Sequence, residues 1–411
     1  ESVTLRFDGS TFPLREINVD AGFGLQRLTG MRLKYDFSSD LPPATRFCLA
    51  ELLSTGPEPP ISILVEQAMD CIVEACAGDA LGPRGFTDLD VEWTLRRQAV
   101  VIVNHLGELV LDRRIQTGVS ARVETEAGGK RARALSRRGG NDPGSVLSCS
   151  SLRETIRRAH SAAMNRLSAR PAPSGEFPVV LGPGIGAVVV HEAVGHALEA
   201  DFVLNGSSLF VGSLGSQVAP SFVSVTDSAL VPGQKSSYAV DDEGVRASWT
   251  PLIVDGRLEG FLHDTRSARA MNARPTGNGR RESYRSPPSP RGTCTFVASG
   301  STAPSDLIGQ MKRGIYVANL GSGQADASGG PFQFIATEAY LIEDGNVTEP
   351  LLPVNISGIG RNFLWRIAGI GSDLEFEPGG GGPCEKGDIV QVALGQPSIL
   401  VESLTVSTKH A

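Results

Sequence analysis

The chain has 411 residues, 40% of them hydrophobic and 20% charged, with a formal net charge of −7. That length predicts two or three domains, and the composition is that of a globular protein with a sizeable core. The acidic balance speaks against nucleic-acid binding, which needs a basic surface, and no run of ~18 apolar residues is present to span a membrane.

The six cysteines, Cys48, Cys71, Cys76, Cys149, Cys294 and Cys384, form no CxxC and no disulfide framework, so a reducing, cytoplasmic setting is expected. No signal peptide is visible. The chain opens at Glu1 without a methionine, so an N-terminal part is expected to be missing.

Val3 to Phe7 alternates as a strand, with a hairpin-type turn at Asp8-Gly9. From Ile61 to Ala77, after Pro59-Pro60, Leu64, Ala68, Cys71, Ile72 and Ala75 recur at helical spacing. Strands return from Ala99 to Glu126 as an antiparallel meander turning at Gly107. A Gly/Arg-rich loop is expected over 127–145, and its basic residues Lys130, Arg131, Arg133, Arg137 and Arg138 read as solvated, with an anion or partner site as the alternative. A second helix is expected from Ser151, where Ser151 and Glu154 form an S-x-x-E capping box. It ends in a linker at 170–175. Phe177 to Leu181 reads as a strand, and the turn Gly182 to Gly186, which lacks dinucleotide spacing, leads into a helix carrying His191. The remainder is β-rich, with hairpin signals at Asp255-Gly256 and Asp344-Gly345. The fold class is therefore α+β: an N-terminal sheet-and-helix domain over 1–170, then a mostly antiparallel β domain over 177–411 that carries the helix of His191.

The run His191-Glu192-Ala193-Val194-Gly195-His196 carries the chemistry. A zinc peptidase needs histidine ligands, an open coordination position and a carboxylate base. His191 and His196 are candidate ligands and Glu192 the candidate base. The familiar spacing is H-E-x-x-H, one turn apart on one helical face. Here one residue is added, and on a regular helix five steps turn about 500°, leaving His196 about 140° from His191. The pair can share a metal only if the helix carries a π-type bulge or ends near Gly195, where glycine eases either distortion. The alternative is a pair of buried, hydrogen-bonded histidines without metal. A third ligand has two candidates: His263, beside Asp264, and Cys384, in a glycine-rich loop whose neighbouring Lys386 favours a thiolate.

The stretch His191 to Phe202 resembles the signature of the TldD/PmbA metallopeptidase family, in its zinc-bearing TldD-type subunit. The resemblance continues through Val240 to Gly244, Pro275 to Tyr284, Gly314 to Tyr316, Gly321 to Asp326, Glu338 to Ile342 and Gly395 to Pro397, and is strong over 177–408. It implies zinc (Zn2+) held by His191, His196 and Cys384, with Glu192 as base, and so favours Cys384 over His263. It also implies a cytoplasmic peptidase for unfolded or short peptides, or for modified peptide precursors, paired with a PmbA/TldE-like subunit. Three departures stand out: the loop reads Gly-Pro-Cys-Glu-Lys-Gly, the segment Arg285 to Gly292 is proline-heavy, and the helical segment that opens the family's N-terminal domain is expected to be missing from the residues read here.

An extended peptide is expected to add to a sheet edge, with Gly321, Gly323, Gly329, Gly330 and Tyr284 as candidate contacts. The competing functions are a non-catalytic peptide-binding or regulatory subunit and a biosynthetic amide hydrolase acting on one natural product.

Overall fold

In the computed structural model the described residues are 2–7, 14–18, 20, 23–29, 32–38, 60–76, 86–103 and 109–408. The expected turn at Asp8-Gly9 and the turn at Gly107 lie outside them. The N-terminal strands are β1 (Ser2–Phe7), β2 (Leu14–Asn18), the hairpin β3 (Phe23–Thr29) and β4 (Arg32–Ser38), then β5 (Phe86–Val103), β6 (Leu109–Ala127) and β7 (Lys130–Gly140). They build an antiparallel sheet ordered β2-β1-β5-β6-β7, with β3 and β4 paired separately. Leu89, Val91, Trp93 and Leu95 alternate inward along β5 and share a core with Leu64, Val65, Ala68 and Ile72 of α1 (Ile61–Cys76) and Leu152, Ile156 and Ala159 of α2 (Cys149–Ser168). Trp93 is fully buried, and its indole N–H donates to Thr117 Oγ1 at 3.0 Å, which removes the desolvation cost of that one polar group.

Two local expectations are corrected. The Gly/Arg-rich segment is the strand β7, not a loop. Ala132 and Ala134 alternate inward, while Arg131 and Arg133 face outward to ion pairs with Glu126 (2.7 Å) and Glu124 of β6. The turn before it places Gly128 and Gly129 at φ 57° and 73°, which glycine adopts without penalty. Small alanines carry this alternation, so an apolarity scan passes over it. The helix α2 starts earlier than expected: Ser148 is its N-cap and accepts from Ser151 N–H at 3.2 Å, while Glu154 pairs with Arg157 and Arg158. The Ser151–Glu154 capping box is absent, because an earlier serine takes the cap.

The C-terminal strands are β8 (Gly175–Leu181), β9 (Val225–Ser228), β10 (Trp249–Val254), β11 (Arg257–Leu258), β12 (Gly279–Arg280), β13 (Ser289–Pro290), β14 (Cys294–Val297), β15 (Arg313–Ala325), β16 (Pro331–Glu343), β17 (Asn346–Leu351), β18 (Val354–Ile359), β19 (Ile367–Ile370), β20 (Glu375–Phe376), β21 (Gly382–Glu385), β22 (Ile389–Gln396) and β23 (Ile399–Thr408). One sheet closes on itself through β8, β23, β18, β16 and β15. A second runs β11-β10-β9-β14-β22-β20, with β21 also paired to β22. Among the described residues of this half the only parallel strand pairs are β8–β15 and β14–β22, so the α+β class with a mainly antiparallel second half is observed. Both expected hairpins are present: Asp255-Gly256 (φ 47°, 76°) and Asp344-Gly345 (φ 44°, 76°) have the left-handed pair that a two-residue turn requires. Val189, Val190, Ala193, Val194, Ala197 and Leu198 of the segment 187–198 belong to the main core of this half. Among the described residues no helix is long and apolar enough to cross a membrane, and the described cysteines are free thiols.

The two halves meet at glycines. Gly139 N–H donates across the junction to Pro378 O (2.8 Å), and within the second half Lys235 N–H donates to Gly380 O (2.9 Å) beside it. A Cβ on Gly139 would lie 2.0 Å from Gly379 O, so the chain leading to Cys384 rests directly on β7. Gly139→Ala is expected to destabilise the protein by about 1–3 kcal/mol in a chemical denaturation series. Gly309→Ala is expected to be close to neutral, because that position has open space and an ordinary φ.

Candidate metal centre

The strand β8 ends at Leu181, and the turn to the helix passes Gly184 at φ +69°. Ala187–Val190 is α-helical, His191–Gly195 is a π turn and His196–Leu198 a 3₁₀ turn. The backbone N–H of His196 bonds to His191 O, five residues back. This is the distortion that the added residue demands: the wider turn brings both rings to one side, 4.6 Å apart between centroids. Gly195 serves differently from the expectation. Its φ of −57° suits any residue, but a Cβ there would stand 3.2 Å from His191 Nδ1. The glycine makes room for the ring.

Cys384 lies on β21, paired to Val390 of β22, and not in a flexible loop. The hairpin turns at Gly387, φ +80°. Cys384 Sγ is 3.4 Å from His191 Nε2 and 3.2 Å from His196 Nε2, and the three ligand atoms lie within 4.8 Å of one another. Zn–N bonds of about 2.0–2.1 Å and a Zn–S bond of about 2.3 Å give tetrahedral edges of about 3.5 Å. The donor set and its spacing therefore fit one zinc with an open fourth position. All three residues are buried, while the Glu192 side chain is 32% exposed and its Oε2 lies 3.8 Å from His196 Nε2. His263 stands apart: it is buried, and its Nδ1 is 3.2 Å from Ser267 Oγ.

Around the three donors is a buried charge network that motif reading did not supply. Glu199 Oε1 lies 3.3 Å from His196 Nδ1, off the line of a hydrogen bond, and accepts from Gly292 N–H at 3.2 Å. Glu199 Oε2 accepts from Lys386 Nζ at 2.7 Å. Arg291, fully buried, donates to Cys384 O (2.7 Å), Cys384 Sγ (3.3 Å) and Asp388 Oδ1 (2.6 Å). The cation on the sulfur is thus Arg291, while Lys386 turns away to Glu199 and Asp201. Burial alone would raise Glu199, but His196, Lys386 and Arg291 hold its carboxyl well below the usual range. Burial opposes the charged form of His196 too, yet Glu199 and Cys384 raise it well above an ordinary histidine. For Cys384, burial is outweighed by the two histidines, and the thiol is pulled down to about 5. Metal binding at these atoms would release the proton from His196. Sequence offered one signal for Glu199, an acid three residues beyond His196. Arg291 sits in the proline-heavy segment, and no spacing rule points to it.

The candidate peptide contacts fall elsewhere. Gly321 and Gly323 lie on β15, where a Cβ would meet Thr337 at 2.6 Å and Phe334 at 2.0 Å, so close cross-strand packing already accounts for both glycines. Gly329 (φ +93°) and Gly330 form the turn into β16, with the Leu209 side chain against Gly329. Tyr284 O–H donates to Asp20 (3.2 Å), and the Arg285 guanidinium stacks on its ring at 4.5 Å.

The family profile described as PmbA/TldA metallopeptidase C-terminal domain matches residues 174–408. The Metalloprotease TldD homolog of Haemophilus influenzae is 37% identical over 318 residues, 75% of this chain and 65% of that protein. The Zinc metalloprotease TldD homolog of Saccharolobus solfataricus is 32% identical over 265 residues, 64% of this chain and 58% of that protein. The chain thus spans about two-thirds or less of the length of the curated relatives it matches. The crystal structure of TldE from Thermococcus kodakarensis has the same fold, with a TM-score of 0.75 at 18% identity over 99% of this chain and 94% of that one.

Two outcomes follow from the geometry. In metal-free protein, the ultraviolet thiolate signal lost in Cys384→Ser is expected to titrate near pH 5. Because this folded-state pKa is depressed, the stability the thiolate contributes is complete above the unfolded thiol's pKa and is lost as pH falls through about 5. Glu199→Gln is expected to weaken zinc binding by roughly 10–100-fold in a chelator competition.

Proposed function

The chain belongs to the PmbA/TldD metallopeptidase family, and on that footing we propose that it is a zinc-dependent peptidase whose metal is held by His191, His196 and Cys384 and whose general base is Glu192. The observation that carries the reading is the convergence of three buried N and S donors beside the one partly exposed carboxylate of the motif. Zinc, when bound, supplies Lewis acidity toward a carbonyl and activates water. Glu192, held close to His196 yet open to solvent, takes the proton of the attacking water and returns it to the departing amine. Glu199 fixes the His196 ring from behind, and Arg291 donates to the sulfur of Cys384, whose thiolate the two histidines favour.

The substrate in this reading is an extended, unfolded or short peptide. Residues 321–324 of β15 are exposed, and among the described residues this stretch runs beyond the β8 pairing at 315–317 and has a strand neighbour only on the β16 side. That free edge suits strand addition, in which backbone hydrogen bonds give affinity with little sequence demand. The partner is a PmbA/TldE-like subunit, the setting is cytoplasmic, and the units 1–170 and 177–411 act as scaffold and catalytic domain.

Glu192→Gln is expected to keep zinc near one per chain while lowering peptide hydrolysis by about 10²–10⁴-fold. Cys384→Ala is expected to lose the metal, and chelation of the wild type to abolish turnover until zinc is restored. Intact hydrolysis in Glu192→Gln, or metal-free protein that turns over at the same rate, overturns the assignment. Peptide binding that survives chelation without any turnover would instead identify a non-catalytic binding subunit.

A further inference from the structure

Arg280 on β12 is only 6% exposed, yet its guanidinium bonds to main-chain carbonyls alone, Gly292 O and Gln391 O (2.6 Å), with no ion pair among the described residues. It lines a cavity of about 20 Å³ between β6 of the N-terminal sheet and the β21–β22 hairpin, which holds about one water-sized group. Asp242 also lines this cavity, but both its oxygens are engaged: Oδ1 by Arg114 Nη1 (2.8 Å) and Oδ2 by Arg281 N–H (2.9 Å).

Lys235 reaches the same cavity across the paired glycines of β6 and β7. A Cβ on Gly118 would lie 2.8 Å from its Nζ, and one on Gly139 would lie 2.6 Å away. The ammonium has no hydrogen-bond or ion-pair partner among the described residues. Burial holds Lys235 below the ordinary lysine range, with Glu377 opposing that fall from beyond pairing distance. The third group is Ser236, 2% exposed, whose buried Oγ has no partner. Two cations without an ion pair among the described residues, Arg280 over the Tyr238 ring at 5.6 Å and the half-buried Lys235, meet an unsatisfied buried hydroxyl around one small space whose lining also includes Asp242 and Glu282, an arrangement that a small anion would complete.

We propose that this cavity binds a small monovalent anion, a halide or the tip of a single carboxylate, held by Lys235, Arg280 and Ser236. The anion completes the junction between the two halves of the molecule. Through Arg280 it also secures Gly292, whose N–H donates to Glu199 at 3.2 Å.

The test is thermal unfolding of the full chain in sodium gluconate, an anion too large for the cavity, with chloride, bromide or formate exchanged in at constant ionic strength. A saturable rise in Tm of roughly 2 °C is expected with the small anions. It should disappear in Lys235→Met and in Ser236→Ala, the second of which removes one hydroxyl without threatening the fold. A response to halides alone assigns the site to an inorganic ion, and an equal response to formate assigns it to carboxylate tips. Crystals soaked in bromide should show an anomalous peak beside Ser236 Oγ. Equal Tm in gluconate and chloride, a response that persists in both variants, or a cavity without bromide would overturn the proposal.

Discussion

One backbone hydrogen bond, from His196 N–H to His191 O, organises the centre. It replaces an ordinary helical bond with a wider turn, and the wider turn is what lets residues five apart present their rings to one point. The surrounding sequence supports the distortion. Val189, Val190, Ala193 and Val194 bury the segment in the core, so the altered turn is held by packing on the faces away from the donors. Gly195 leaves space for the His191 ring, and Gly360 packs against the same turn, where a Cβ would stand 2.3 Å from Ala193 O.

The charge network is the second layer of that constraint. Cys384 and His196 are two of three donors, and each is buttressed by a buried group of opposite sign, Arg291 for the sulfur and Glu199 for the ring. Lys386 and Gly292 N–H then satisfy Glu199. A buried carboxylate or guanidinium without partners would be expensive, and here each has partners from segments far apart in sequence. The network therefore specifies an arrangement of segments as much as it contributes stability.

Much of this was legible from residue order. The off-pattern spacing at 191–196 called for a distorted helix at Gly195, and the π turn is there. The two Asp-Gly hairpins and the α1 stripe follow from local turn chemistry and periodicity, which need no knowledge of the rest of the chain. Where reading failed, the cause was non-local or concealed. The strand β7 hid its alternation in alanines between arginines. Cys384 looked like part of a loop because glycines precede it, although pairing with β22 makes it a strand residue. Arg291 acquires its place only when β21 folds beside it, and resemblance, not spacing, singled out Cys384 over His263.

The separation of the donors in sequence has a kinetic consequence. Cys384 lies 193 residues beyond His191, and the sulfur is delivered by a hairpin whose long strand β22 pairs with β14 and β20. Local structure alone cannot assemble such a set. The sheets must close first, with the loop-closure entropy of a long chain already met by their cores. On the proposed reading, zinc would be acquired by the folded protein, unlike small zinc modules in which the ion drives folding. A zinc bound there would be a late arrival on a finished scaffold, its occupancy reporting whether the β21–β22 hairpin has docked beside His191 and His196.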